Sequence, residues 1–352
     1  MPFIHGRWFE TTNKSSEFFR KFGIYKDEWD GESKLREVEA PGSRPSSGFD
    51  HIPGYHDGGR PWERNQKFEE AHKGEYVGVE VEVLAGSYRT AVGIRDAAND
   101  LGIVVERDSS LNGVRGVEVI GPPIPWYQYG DSVWSKLLPT LNQLAVGWEA
   151  GDGYGMHVSL DVCGFEGDAL VGFVRTLNDR VNFFSLLSGR IPNFYCNTLN
   201  ARYGTNVDKA AVKNLVAMQY FSHHSVVCVE GNRVEVRLCR STVRPLVFMK
   251  NVELYSSLRV FCNKTVKNGD HVDLNKYLDW VFQESETFPN LVAWINNQKH
   301  RIVWLRRFAD PNWANPVNRR RDPSRSKNFT DKANNSTCQT IFVSKRKKPT
   351  PA

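Results

Sequence analysis

In YVGVEVEVL, residues 76–84, valine stands at every second position from 77 to 83. Successive side chains of a strand point to opposite faces, so Val77, Val79, Val81 and Val83 share one face and Gly78, Glu80 and Glu82 the other. Taken alone, such a strand reads as half buried with a solvated outer face. The pattern recurs, however. In GVEVIG (116–121) Val117 and Val119 flank Glu118. In MHVSLD (156–161) Met156, Val158 and Leu160 oppose His157, Ser159 and Asp161. In VEVRL (234–238) Val234, Val236 and Leu238 alternate with Glu235, Arg237 and then Cys239.

The second faces of these four strands thus offer acids, an imidazole and a guanidinium, with no lysine among them. A plain solvated face draws on Lys, Thr, Ser and Gln. Several carboxylates lining one surface repel and shift one another unless cations compensate. An oxygen-rich set with room for phosphate oxygens suits Mg²⁺ or Mn²⁺ rather than zinc. A guanidinium beside it can clamp a phosphate in two-pronged fashion. The plainer alternative for Glu235 and Arg237 is an ordinary ion pair.

Working outward, SYRTAVGIRDAANDLG (87–102) has apolar residues at helical spacing and stops at Gly102. IVVERD and VRGVEVIG read as a hairpin across SSLNG, and HSVVCVE and RVEVRLCR as a second hairpin across Gly231-Asn232. DSVWSKLLPTLNQLAVGWEA is helical with a kink or break expected at Pro139. GDALVGFVRTLNDRVNFFSLLSG reads as one long amphipathic helix, and a short helix near Ala210 and one through FMKNVELYSSLRVFCNK are expected beyond it. Hairpins mixed with helices predict an α+β domain on a largely antiparallel, curved sheet with flanking helices.

The predicted organisation is an irregular extension over 1–72, a catalytic domain over 73–300 and a basic tail without regular structure over 301–352. The chain has 40% hydrophobic and 24% charged residues, which excludes wholesale disorder. The net charge of +6 is uneven: residues 301–352 hold thirteen Lys/Arg and three Asp/Glu, which leaves residues 1–300 at −4. The six cysteines form no CxxC pair and read as reduced thiols of a cytoplasmic protein. Neither a leader-like apolar run in MPFIHGRWFETTNKSS nor a stretch of about 18 apolar residues is present, so no membrane association is expected. There is no P-loop.

Four blocks in order, VGVEVEV (77–83), ERDSSLNGVRGVEVIGPP (106–123), GYGMHVSLDV (153–162) and RVEVRLCRSTVRP (233–245), resemble the amidoligase family, relatives of glutamine synthetase and glutamate–cysteine ligase. The resemblance implies a glutamine synthetase-like catalytic fold and an ATP-dependent ligase joining a carboxylate (amino acid, peptide or protein side chain) to an amine through an acyl phosphate. It implies Glu80, Glu82, Glu118 and Glu235 as ligands of Mg²⁺ or Mn²⁺ and of the nucleotide, His157 as a metal or phosphate contact, and Arg237 as phosphate clamp. Arg190 resembles the family's arginine ahead of a tyrosine. Asp108 either orients the amine or caps a turn. The chain departs from the family at His223 and His224, where an amide is expected, and at Ser159, where many relatives have a second histidine. Two other readings stand beside this one: an inactive member serving binding or assembly, and a tail whose NRRRDPSRSK and SKRKK runs contact nucleic acid, against the simpler solvated tail.

Overall fold

The computed structural model describes residues 74–310, apart from 86–87, 108–110, 112–115, 148–153, 194–195, 201–206, 220, 222–223 and 298, together with the backbone of three short strands nearer the N-terminus. Those strands, β1 (Phe3–Ile4), β2 (Arg7–Phe9) and β3 (Glu37–Val38), pair antiparallel into a small sheet inside the stretch read as irregular.

The main sheet contains β4 (Tyr76–Ala85), β5 (Val104–Arg107), β6 (Gly116–Ile120), β7 (Ile124–Pro125), β8 (Ala145–Gly147), β9 (Gly155–Asp161), β10 (Val227–Glu230) and β11 (Arg233–Arg240). Its path is β10-β11-β9-β4-β6-β5, with β7 and β8 also on β4, and every pairing between these strands is antiparallel. The sheet is open and uncurled, which corrects the expected curvature: its path ends at β10 and β5, and among the described residues these edges do not pair. Both predicted hairpins are present, the second turning through Gly231 at φ +56°. A positive φ suits glycine, which has no Cβ to clash.

One face of the sheet is the core. Val77, Val79, Val81, Val83, Val117, Val119, Met156, Val158, Leu160, Val234 and Val236 are all buried there. Burying each valine is worth about 1.5 kcal/mol or more. Flanking helices are α1 (Tyr88–Asn99), α2 (Val133–Leu144), α3 (Ala169–Asp179), α4 (Val181–Ser188), α5 (Lys209–Met218), α6 (Pro245–Thr265), α7 (Leu274–Gln283), α8 (Pro289–Asn296) and α9 (Lys299–Ala309). Among them α6 packs on β9 and also touches α3, α4, α7 and α8, and most of its residues are buried. Two of its inward polar groups find partners: Asn251 Nδ2 lies 3.3 Å from Met156 Sδ, and Ser257 Oγ 2.7 Å from Tyr277 OH.

Three expectations are corrected. Helix α2 does not break at Pro139: it continues to Leu144, with Trp134, Leu137, Leu138 and Leu141 buried along it. The long helix ends at Asp179 and resumes at Val181, and α3 is buried on nearly all sides rather than amphipathic. Helix α9 runs on into the stretch from residue 301 expected to be tail, and Arg301 within it is fully buried. Residues 311–352 lie outside the described part, as does the role proposed for them. Among the described residues no helix is long and apolar enough to cross a membrane.

Candidate functional site

The second face of the sheet gathers the sequence-predicted residues by register. Glu80 on β4 stands opposite His157 on β9, and Glu82 opposite Glu118 on β6. Glu235 on β11 pairs with Ser159, which in turn stands opposite Gly78, so small side chains lie between Glu235 and β4. Four strands therefore place four glutamates around one imidazole. Glu82, Glu118, Glu235 and His157 are each at most 4% exposed, and Glu80 is partly exposed at the rim.

His157 lies at the centre. Its Nδ1 is 3.3 Å from Glu80 Oε2, 3.3 Å from Glu235 Oε1 and 3.8 Å from Glu118 Oε1. Its Nε2 is 3.4 Å from Glu82 Oε1, yet the alignment is too poor for a hydrogen bond, and this buried atom has no hydrogen-bond partner among the described residues. Burial, seconded by the Arg237 charge, pushes the His157 pKa well below its ordinary value in spite of Glu235. A neutral imidazole has one N–H and one lone pair. Carboxylates only accept, so whichever nitrogen carries the lone pair faces oxygen lone pairs, and a cation between them relieves the repulsion. Ligand atoms of Glu80, Glu118 and His157 lie within 4.8 Å of one another, a group that could hold a metal ion.

Arginines line the same place. Arg237 Nη1 donates to Glu235 Oε1 at 2.6 Å, while its buried Nε has no hydrogen-bond partner among the described residues. Burial works to lower the Arg237 pKa, but Glu235 and Glu82 outweigh it and hold the group charged. Arg190 follows α4, where Gly189 at φ +78° ends the helix and bridges Cys239. It is 3% exposed, and its Nη1 donates to the Arg237 carbonyl at 2.9 Å. Glu82 accepts from the Gly155 amide, and its own carbonyl accepts from Ser241 Oγ.

Of the remaining predicted residues, Asp108 and His223 lie outside the described residues, and His224 is not part of the Glu80–Glu118–His157 group. Two residues that sequence reasoning missed join the site. Glu106 on β5 stands opposite Glu118 and is 1% exposed, extending the row Glu82–Glu118–Glu106 across three strands. Arg233, at the turn end of β11, lies 3.6 Å from both Glu80 and Glu235. The alternation that picked out Glu235 and Arg237 also selects Arg233 when extended by one step. Cys239 is corrected in the opposite sense. A register shift between Val236 and Cys239 sets it opposite Met156, on the core face. One extra residue in a strand moves all that follows it to the other side.

No family model matches the chain, and no curated protein matches it in sequence.

Proposed function

We propose that the protein is an ATP-dependent carboxylate–amine ligase of amidoligase type, on a glutamine synthetase-like fold, with Mg²⁺ or Mn²⁺ held by Glu80, Glu118 and His157. The observation behind this reading is the meeting of His157 with four glutamates from three separate blocks of the sequence, directly beside Arg237. Nδ1 of His157, which faces both Glu80 and Glu118, supports the same reading. A divalent cation, when bound, neutralises carboxylate and phosphate oxygens and orients them.

The reaction asks little covalent chemistry of the chain. The γ-phosphoryl group passes from ATP to a carboxylate oxygen, ADP leaves, and an amine nitrogen then attacks the acyl carbon and releases phosphate. Positioning and charge neutralisation suffice for such a transfer. In this reading Arg237, anchored on Glu235 by one nitrogen, binds phosphate with the donors that remain. Arg190 keeps the β11 backbone at Arg237 in place through its hydrogen bond. Glu82 and Glu235 complete the acidic wall, and Asp108 is assigned to the amine side on the resemblance alone.

Titration calorimetry of ATP with Mg²⁺, with Mn²⁺ and without metal tests the reading on wild type and Glu80→Gln. Metal-dependent binding, weakened at least about tenfold in the variant, is expected. Normal binding of metal-ATP by Glu80→Gln removes Glu80 from the site. A folded wild type that binds no nucleotide under any of these conditions favours the inactive binding or assembly protein instead.

A further inference from the structure

Three guanidiniums act on His157, those of Arg237, Arg190 and Arg233, and they are held differently. Arg190 is buried and bonded to backbone, and Arg237 is bonded to Glu235 at 2.6 Å. Arg233 is 39% exposed and stands at the hairpin turn. Its Nη1 lies 3.6 Å from Glu80 Oε1 and its Nη2 3.6 Å from Glu235 Oε2, ion-pair distances too long for strong hydrogen bonds. Its closest acidic contact, 3.4 Å, is to Glu230 of the same hairpin. An exposed pair of this kind contributes little and exchanges partners readily.

The two acids that Arg233 spans are, on the reading above, a metal ligand and its neighbour. We propose that Arg233 is an exchangeable cation of the site: it neutralises Glu80 and Glu235 until a divalent cation takes over that role, and it then binds an oxygen of a phosphate-bearing ligand. The inference rests on the metal reading. It makes metal and phosphate binding mutually reinforcing, because the metal both attracts the anion and releases a guanidinium to meet it. The Glu230 contact lets the side chain turn without losing its anchor on the hairpin.

The test uses the full chain and two probes, Mn²⁺ alone and methyl phosphate, a monoester that chelates metal weakly. In wild type, Mn²⁺ is expected to bind and to raise methyl phosphate affinity. In Arg233→Gln, Mn²⁺ is expected to bind about threefold or more tighter, since a competing cation is gone. The gain in methyl phosphate affinity on adding Mn²⁺ is expected to fall by about tenfold, the worth of one charge-assisted contact. Glu80→Gln, with Arg233 already released, is expected to bind methyl phosphate without Mn²⁺ better than wild type, and Glu80→Gln/Arg233→Gln to lose that gain. Unchanged or weaker Mn²⁺ binding in a folded Arg233→Gln, or unchanged phosphate coupling, overturns the proposal and leaves the metal reading standing. Failure of wild type to bind Mn²⁺ overturns the metal reading, and the exchange with it.

Discussion

A methyl group at position 155 would lie 2.3 Å from Nη1 of Arg190 and 3.1 Å from Nε2 of His157, so Gly155 lets the backbone approach the site closely. Arg190 would have to shift and give up its bond to the Arg237 carbonyl. Gly155→Ala is expected to cost about 1–3 kcal/mol in chemical denaturation, as overpacking does, and to weaken Mn²⁺ binding in calorimetry. Wild-type affinity in the variant would mean that Arg190 plays no part in positioning the site. At this scale the sequence is legible wherever strand alternation runs unbroken, as for Glu80, Glu82, Glu118 and His157. It is not legible at Glu106, whose partner depends on hairpin register across residues 108–115, nor at Cys239, displaced by a bulge. Alternation states which residues share a face of one strand. It does not state which residues of two strands meet.

Between elements, one carboxylate of α6 reaches the first turn of α8. Glu253 of α6 accepts from the Leu291 amide at 2.7 Å and from Asn290 Nδ2 at 2.5 Å, so a side chain from one helix caps the first turn of another. Burial raises its pKa to about 7, outweighing the hydrogen bonds that favour the charged form. The folded value lies above the unfolded one, so the folded state binds the extra proton, and stability falls as pH rises from about 4.5 to 7. The window is worth roughly 3 kcal/mol at most. Glu253→Gln keeps an acceptor without the charge, and is expected to be more stable than wild type at pH 8 and equal to it near pH 4. A stability difference independent of pH across unfolding curves would rule the titration out. Helix existence was legible from apolar spacing and turn residues for α1, α6 and both hairpins. The break at Arg180 and the continuity through Pro139 were not, because burial of the flanking residues determines them rather than local propensity.

For the molecule as a whole, a helix that the charge distribution assigns to a tail belongs to the packed domain. Counting charges groups Arg301 with the basic residues after it, yet Arg301 is fully buried, with its guanidinium 3.7 Å from the Trp294 ring centroid and Nη1 donating to the Trp294 carbonyl. Lys250 Nζ of α6 lies 4.7 Å from the same ring and donates to the Leu187 carbonyl of α4. Helix α9 itself packs on α4, α7 and α8, burying Leu305 and Ala309. Since α4 ends at Ser188 and hands the chain to Gly189 and Arg190, loss of α9 is expected to disturb Arg190. A chain ending at residue 297 is expected to be less stable than one ending at 310 by at least about 4 kcal/mol, from one buried leucine, the arginine stem and a desolvated cation–π contact. Its Mn²⁺ affinity is expected to fall as well, measured at a temperature where both chains remain folded. Equal stability of the two chains in thermal unfolding would return Arg301 to the tail. Equal Mn²⁺ affinity alongside unequal stability would confine α9 to holding the fold, and would leave Arg190 positioned by its bond to β11.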